Sequence, residues 1–132
     1  MRKFAKYIQR GIESPLQNVK FHGKAPLKRF FMFERKKIKE KGVRIAVHTI
    51  SKLPKKIPPY CDLHKHDYDE INLVLSEKGT LVYEVQLEDE IYRVKSPATV
   101  YIPAGVRHRA EVLSGKGQFI AIIFMGKYIA KK

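Results

Sequence analysis

Between residues 61 and 125 the chain passes through seven short stretches of apolar and β-branched residues, with turn-forming residues standing between them. The stretches are 61–66, 70–76, 80–87, 91–95, 98–102, 107–113 and 118–125. Turn chemistry is supplied by Lys78-Gly79, Glu88-Asp89-Glu90, Ser96-Pro97, Pro103-Ala104-Gly105 and Ser114-Gly115-Lys116-Gly117. Short strands at regular spacing predict an all-β sandwich or barrel. VRIAVHTI (43–50), rich in β-branched residues, predicts a further strand after Gly42, and the three prolines of KLPKKIPPY (52–60) predict a loop.

Upstream the pattern weakens. The run LKRFFMFERKKIKEK (27–41) opens on Phe30, Phe31, Met32 and Phe33, apolar bulk that calls for cover as an edge strand or a dimer contact. Residues 1–26 mix charge with short apolar pieces around Pro15, Gly23 and Pro26, which predicts an arm with at most one short helix near residues 3–11. With 132 residues the chain suffices for one domain, so the expected division is a basic arm (1–26) and a β-barrel (27–132).

The formal net charge of +14 is unevenly placed. Residues 1–41 hold 13 Lys or Arg against Glu13, Glu34 and Glu40, whereas the other 91 residues hold 14 against 10 acids. A basic arm of this kind binds anionic partners by electrostatics, or is a solvated segment of the Lys-rich composition typical of thermophiles. No recognised nucleic-acid module or stacking surface accompanies the charge, which ranks nucleic-acid binding last. A single cysteine, Cys61, excludes an internal disulfide, and MRKFAKYIQRG lacks the apolar stretch of a signal peptide. The expectation is a cytoplasmic protein with no membrane segment.

Residues 64–70 read HKHDYDE. In an extended chain His64 and His66 project to one side, about 7 Å apart along the strand. Glu70 follows after a bend's length, and His108 follows the tight turn of Pro103 and Gly105. Three imidazoles and a carboxylate are borderline ligands suited to one divalent transition metal, such as Fe, Mn, Zn or Ni.

The two runs HKHDYDEINLVL and YIPAGVRH resemble the two sequence motifs of the cupin superfamily, over roughly residues 43–125. The first motif of that family is glycine, five residues, His-x-His, three or four residues, Glu, six residues, glycine. The second is glycine, five residues, Pro-x-Gly, two residues, His, three residues, asparagine. His64, His66, Glu70, Pro103, Gly105 and His108 stand at the matching offsets; Pro58, Pro97 and Val112 replace two glycines and the asparagine, and the remaining glycine is displaced to Gly79. The resemblance implies a single jelly-roll (double-stranded β-helix) barrel of the small cupin-2 type, a metal on His64, His66, Glu70 and His108, and a homodimer. The expected dimer uses the 27–41 region and FIAIIFM (119–125).

Other residues carry less specific expectations. Tyr83, Tyr101, Arg107 and His48 are candidates to line a substrate cavity, and His48 and the strand tyrosines, Tyr92 among them, read equally as structural core. Asp67 and Asp69 fall on the opposite parity from the histidines and read as turn-formers or solvent-facing, with Asp69 as an alternative acceptor for an imidazole N–H. Arg109 faces away from His108 by alternation. Cys61 reads as a buried thiol, and His22 as an exposed residue of the arm. The functional expectation is a metal-dependent enzyme of dioxygenase or isomerase type acting on a small, oxygen-rich, anionic molecule. The alternative is a non-catalytic small-molecule or metal-binding sensor module.

Overall fold

The computed structural model describes residues 2–37 and 41–125. Its strands are β1 (Ile12–Glu13), β2 (Lys28–Lys37), β3 (Lys41–Ile50), β4 (Asp69–Leu75), β5 (Val82–Leu87), β6 (Glu90–Lys95), β7 (Ala98–Ile102), β8 (His108–Ser114) and β9 (Gly117–Met125). A six-stranded sheet in the order β1-β2-β3-β9-β4-β7 faces a three-stranded sheet in the order β6-β5-β8, and each pairing between strands is antiparallel. The result is an all-β jelly roll, all-β as the turn spacing predicts and of the form that the cupin resemblance implies.

Alternation decides which side chains meet inside. In β4 the residues Glu70, Asn72 and Val74 are buried while their neighbours are less so. Ile50, Leu81, Tyr83, Val85, Ile102 and Val112 close the core around Val74. Each such side chain contributes roughly 1.5–3 kcal/mol by leaving water.

The registers of the large sheet arrange its inner face in three rows, because residues directly opposite one another share a face. Glu34, Arg44, Ile123, Glu70 and Ile102 form one row; Phe31, Ala46, Ala121, Asn72 and Val100 the next; and Arg29, His48, Phe119, Val74 and Ala98 the third. A bulge between Phe31 and Phe33 changes the parity of β2, which is how Glu34 comes to oppose Arg44. The middle row carries two alanines at its centre, so the barrel is hollow there.

The N-terminal segment closes over this hollow. Leu16 is buried in the core, Ile12 and Glu13 pair with Phe31 and Phe30, and His22 forms a bridge with Cys61. The half-buried phenylalanines of β2 thus find cover partly within their own chain. The short helix expected near residues 3–11 is a 3₁₀ turn over Ala5–Tyr7.

The strand expected at 61–66 does not form; only isolated bridges at Cys61 and His64 occur. The carboxylate of Glu111 accepts the backbone N–H groups of Tyr60 (2.6 Å) and Cys61 (2.8 Å), and so takes the donors that a continuous ladder needs. Residues 38–40 of the expected dimer segment lie outside the described residues. Among those described, no helix is long and apolar enough to cross a membrane.

Candidate metal centre

Two backbone devices assemble the histidines. His64 and His108 exchange both main-chain hydrogen bonds (3.0 and 2.7 Å), which joins the loop after the prolines to the start of β8. Gly105, at φ +88°, sits in the Pro103-Ala104-Gly105 turn and donates its N–H to the His66 carbonyl at 2.9 Å. A left-handed residue at that point suits glycine. Asp69 accepts the Ala104 N–H at 2.9 Å, so it is a turn-former as its parity suggests.

The three imidazoles converge. One ring nitrogen of each of His64, His66 and His108 lies within 4.8 Å of the others. On each ring Nδ1 faces a main-chain carbonyl: Asp62 O for His64 (2.7 Å), Tyr68 O for His66 (3.2 Å) and Val106 O for His108 (2.9 Å). A carbonyl only accepts, so the proton of each neutral ring sits on Nδ1 and the Nε2 lone pairs remain for the centre.

Glu70 joins from β4. Its Oε1 lies 2.9 Å from His66 Nε2 and 3.4 Å from His108 Nε2, and its Oε2 accepts from Asn72 Nδ2 at 2.7 Å. Burial opposes ionisation of Glu70, but the neighbouring His108 and His66 imidazoles and the Asn72 amide prevail and hold its pKa well below the usual carboxylate range. Burial lowers the His108 pKa, and Glu70 with the Val106 carbonyl turns the shift upward. At His64 burial prevails and the pKa falls, which keeps that ring neutral.

This arrangement fits a divalent transition metal. His108 Nε2 is buried without a hydrogen-bond partner. Two acceptors, a carboxylate oxygen and an imidazole lone pair, face each other at the Glu70–His66 contact and need a proton or a cation between them. Borderline nitrogen donors with a hard oxygen beside them suit iron, manganese, nickel or zinc.

A cavity of about 570 Å³ opens from the cluster into the hollow barrel. His48 and Tyr83 line it as expected of cavity candidates. Burial, then Arg29 and His22, push the His48 pKa down to about 3, while burial pushes Cys61 up to about 11 and Tyr83 well above the ordinary phenol range.

Two expected cavity residues lie elsewhere. Tyr101 is 54% exposed on the outer face of β7, one residue before inward Ile102. Arg107 points outward, with its Nη2 2.8 Å from Glu88 Oε1. His22, expected to be exposed, is half-buried: its Nε2 lies 3.3 Å from Cys61 Sγ and its ring 5.4 Å from that of His64. Arg29, which sequence reasoning did not single out, is buried in the cavity wall. Its inward parity with Phe31 was the available signal.

The fold is shared with solved structures. KdgF from Halomonas sp. superposes with a TM-score of 0.55 at 17% identity, over 75% of this chain and 80% of that one. A predicted oxalate decarboxylase from Thermotoga maritima gives 0.55 at 18%, over 90% and 95%. An RmlC-like cupin from Shewanella frigidimarina gives 0.53 at 15%, over 88% and 92%. No family model and no curated protein matches the sequence. The architecture is that of a small cupin domain.

Proposed function

We propose that this cupin-fold chain is a metal-binding protein whose centre is built on His64, His66, His108 and Glu70, and that it acts on a small, oxygen-rich, anionic molecule admitted to the barrel. The supporting observation is the convergence of three Nε2 lone pairs, each ring held by a carbonyl on its other nitrogen, at the wall of the barrel cavity. When bound, the metal supplies Lewis acidity and a template for substrate oxygen atoms.

The chain's own groups define the remaining steps. Glu70 balances charge and, through Asn72, is held in one orientation. Phe119, Ala46 and Ala121 shape the apolar wall and exclude water from the substrate. Beyond the histidine cluster three buried cavity groups are moved away from neutrality by burial: His48 down to about 3, Cys61 up to about 11 and Tyr83 well above the ordinary phenol range; burial also lowers half-buried His22. Proton-transfer chemistry wants a group poised near the working pH. This favours oxygen-dependent chemistry over isomerisation among enzymatic readings. It is also the observation in favour of the second reading, a binding or sensing module without turnover.

Elemental analysis of protein purified without added metal or chelator tests the proposal. Close to one equivalent of a transition metal, lost in a His66→Ala, Glu70→Ala double variant, supports it; no metal after reconstitution contradicts it. We further propose a cytoplasmic homodimer formed through the 27–41 region, and a monomer by light scattering at micromolar concentration contradicts that.

A further inference from the structure

We infer that the end of the cavity at Arg29 and His48 is an anion-receiving subsite, and that it takes a carboxylate of the molecule whose oxygen atoms reach the histidine cluster. This deepens the proposed function and rests on it for the histidine end alone.

Among the described residues Arg29 is a buried cation without a counterion. It is 8% exposed, and among those residues its guanidinium makes one hydrogen bond, from Nη1 to the Ser14 carbonyl at 3.2 Å. Among the described residues no carboxylate pairs with it. Taking a charge out of water costs several kcal/mol unless an opposite charge and hydrogen bonds compensate. Arg44, on the same cavity, is in a different state: its Nη2 lies 3.4 Å from Glu34 Oε2. The missing compensation is therefore local to Arg29, which lines the hollow.

The register supplies the second group. His48 stands directly opposite Arg29 on the inner face, is 8% exposed, and its imidazole hydrogen-bonds to none of the described residues. Phe119, next in the row, packs its ring 5.3 Å from the His48 ring and gives the subsite one apolar side. Row by row, the path toward Glu70 crosses Ala46 and Ala121, whose short side chains leave it open.

The charge and shape of the subsite choose the ligand. A guanidinium presents a planar fork that matches two oxygens of a carboxylate. His48 is neutral in this environment, so the subsite offers one positive charge and suits a monoanionic group better than a phosphate dianion. Arg29 on β2 and Glu70 on β4 are three strand spacings apart across the sheet, about 14 Å, and two rows apart along it, which puts the carboxylate at the end of the ligand remote from the histidines.

Calorimetric titration of the full chain, metal-free and metal-loaded, with glutarate as probe and uncharged glutaramide as control tests this. Wild-type protein is expected to bind glutarate and not glutaramide in both states. Arg29→Gln is expected to weaken glutarate binding at least about tenfold, with metal content unchanged. Arg29→Lys keeps the charge but not the fork; it is expected to fall between the two and provides the comparison should Arg29→Gln misfold. No glutarate binding by the wild type at millimolar concentration, equal binding of glutaramide, tighter binding of inorganic phosphate, or indifference to both substitutions overturns the inference. Arg29-dependent capture by a protein that takes up no metal sinks the metal reading and leaves this one standing.

Discussion

His64 and His108 are locked together through both of their backbone hydrogen bonds, at 3.0 and 2.7 Å, with their rings 4.5 Å apart. The candidate ligands are thus fixed by closure of the barrel, and a metal joining them would tie β8 to the segment that precedes β4.

Metal held this way stabilises the fold by mass action. At a free concentration one hundred times the dissociation constant the gain is about 2.7 kcal/mol. Stripping the metal with a chelator is expected to lower the melting temperature by roughly 10 °C for a chain of this size. Scanning calorimetry before and after chelation measures it; no shift contradicts metal occupancy.

Metal uptake is expected to release protons near pH 7. Glu70, against the effect of burial, raises the His108 pKa, so this ring carries part of a proton that the metal must displace, whereas the lowered pKa of His64 leaves that ring already neutral. Affinity therefore rises with pH until His108 is fully deprotonated. Titrations in buffers of different ionisation enthalpy count the protons, on the order of one at pH 7; none released contradicts the assignment.

His48 makes the fold acid-sensitive. Its pKa is depressed from 6.5 to about 3, by burial first and Arg29 next. A depressed value means the unfolded chain binds the proton first, so the stability is present above pH 6.5 and is lost as pH falls toward 3. The contribution is at most several kcal/mol. Denaturant melts of His48→Gln are expected to show a flatter acid limb than wild type; parallel limbs contradict the burial of a neutral imidazole.

Gly105→Ala is expected to cost about 1–2 kcal/mol, since φ +88° is strained for a side chain bearing Cβ. The same turn donates to the His66 carbonyl, so metal affinity falls as well. Urea melts and metal titration read the two effects separately, and a variant with wild-type values in both shows that the turn does not position the histidines.

Much of this was legible in the chain. Turn residues delimit β4 to β9 because glycine and proline act locally, and the spacing of His64, His66, Glu70 and His108 marks residues that the His64–His108 bridge and β4 bring together. Alternation misled at 61–66, where Glu111, fifty residues onward, takes the backbone donors. Tyr101 reads as a cavity candidate with no parity test, and Arg107, which faces away from His108 by alternation, reads as one through its place in the entry turn; their partners are Asp69 and Glu88 on the outside. His22 reads as exposed because its place depends on the basic N-terminal segment folding back onto Cys61, which no local pattern encodes, whereas the inward parity that Arg29 shares with Phe31 is a local signal.

The central claim is that one metal ion sits among three imidazole Nε2 atoms. Anomalous diffraction from crystals grown without chelator, recorded on both sides of the absorption edge of the metal found by elemental analysis, tests it most directly. The account predicts a single peak within about 2.0–2.3 Å of Nε2 of His64, His66 and His108 and beside Glu70. A featureless map there, or a peak bound elsewhere on the chain, contradicts it.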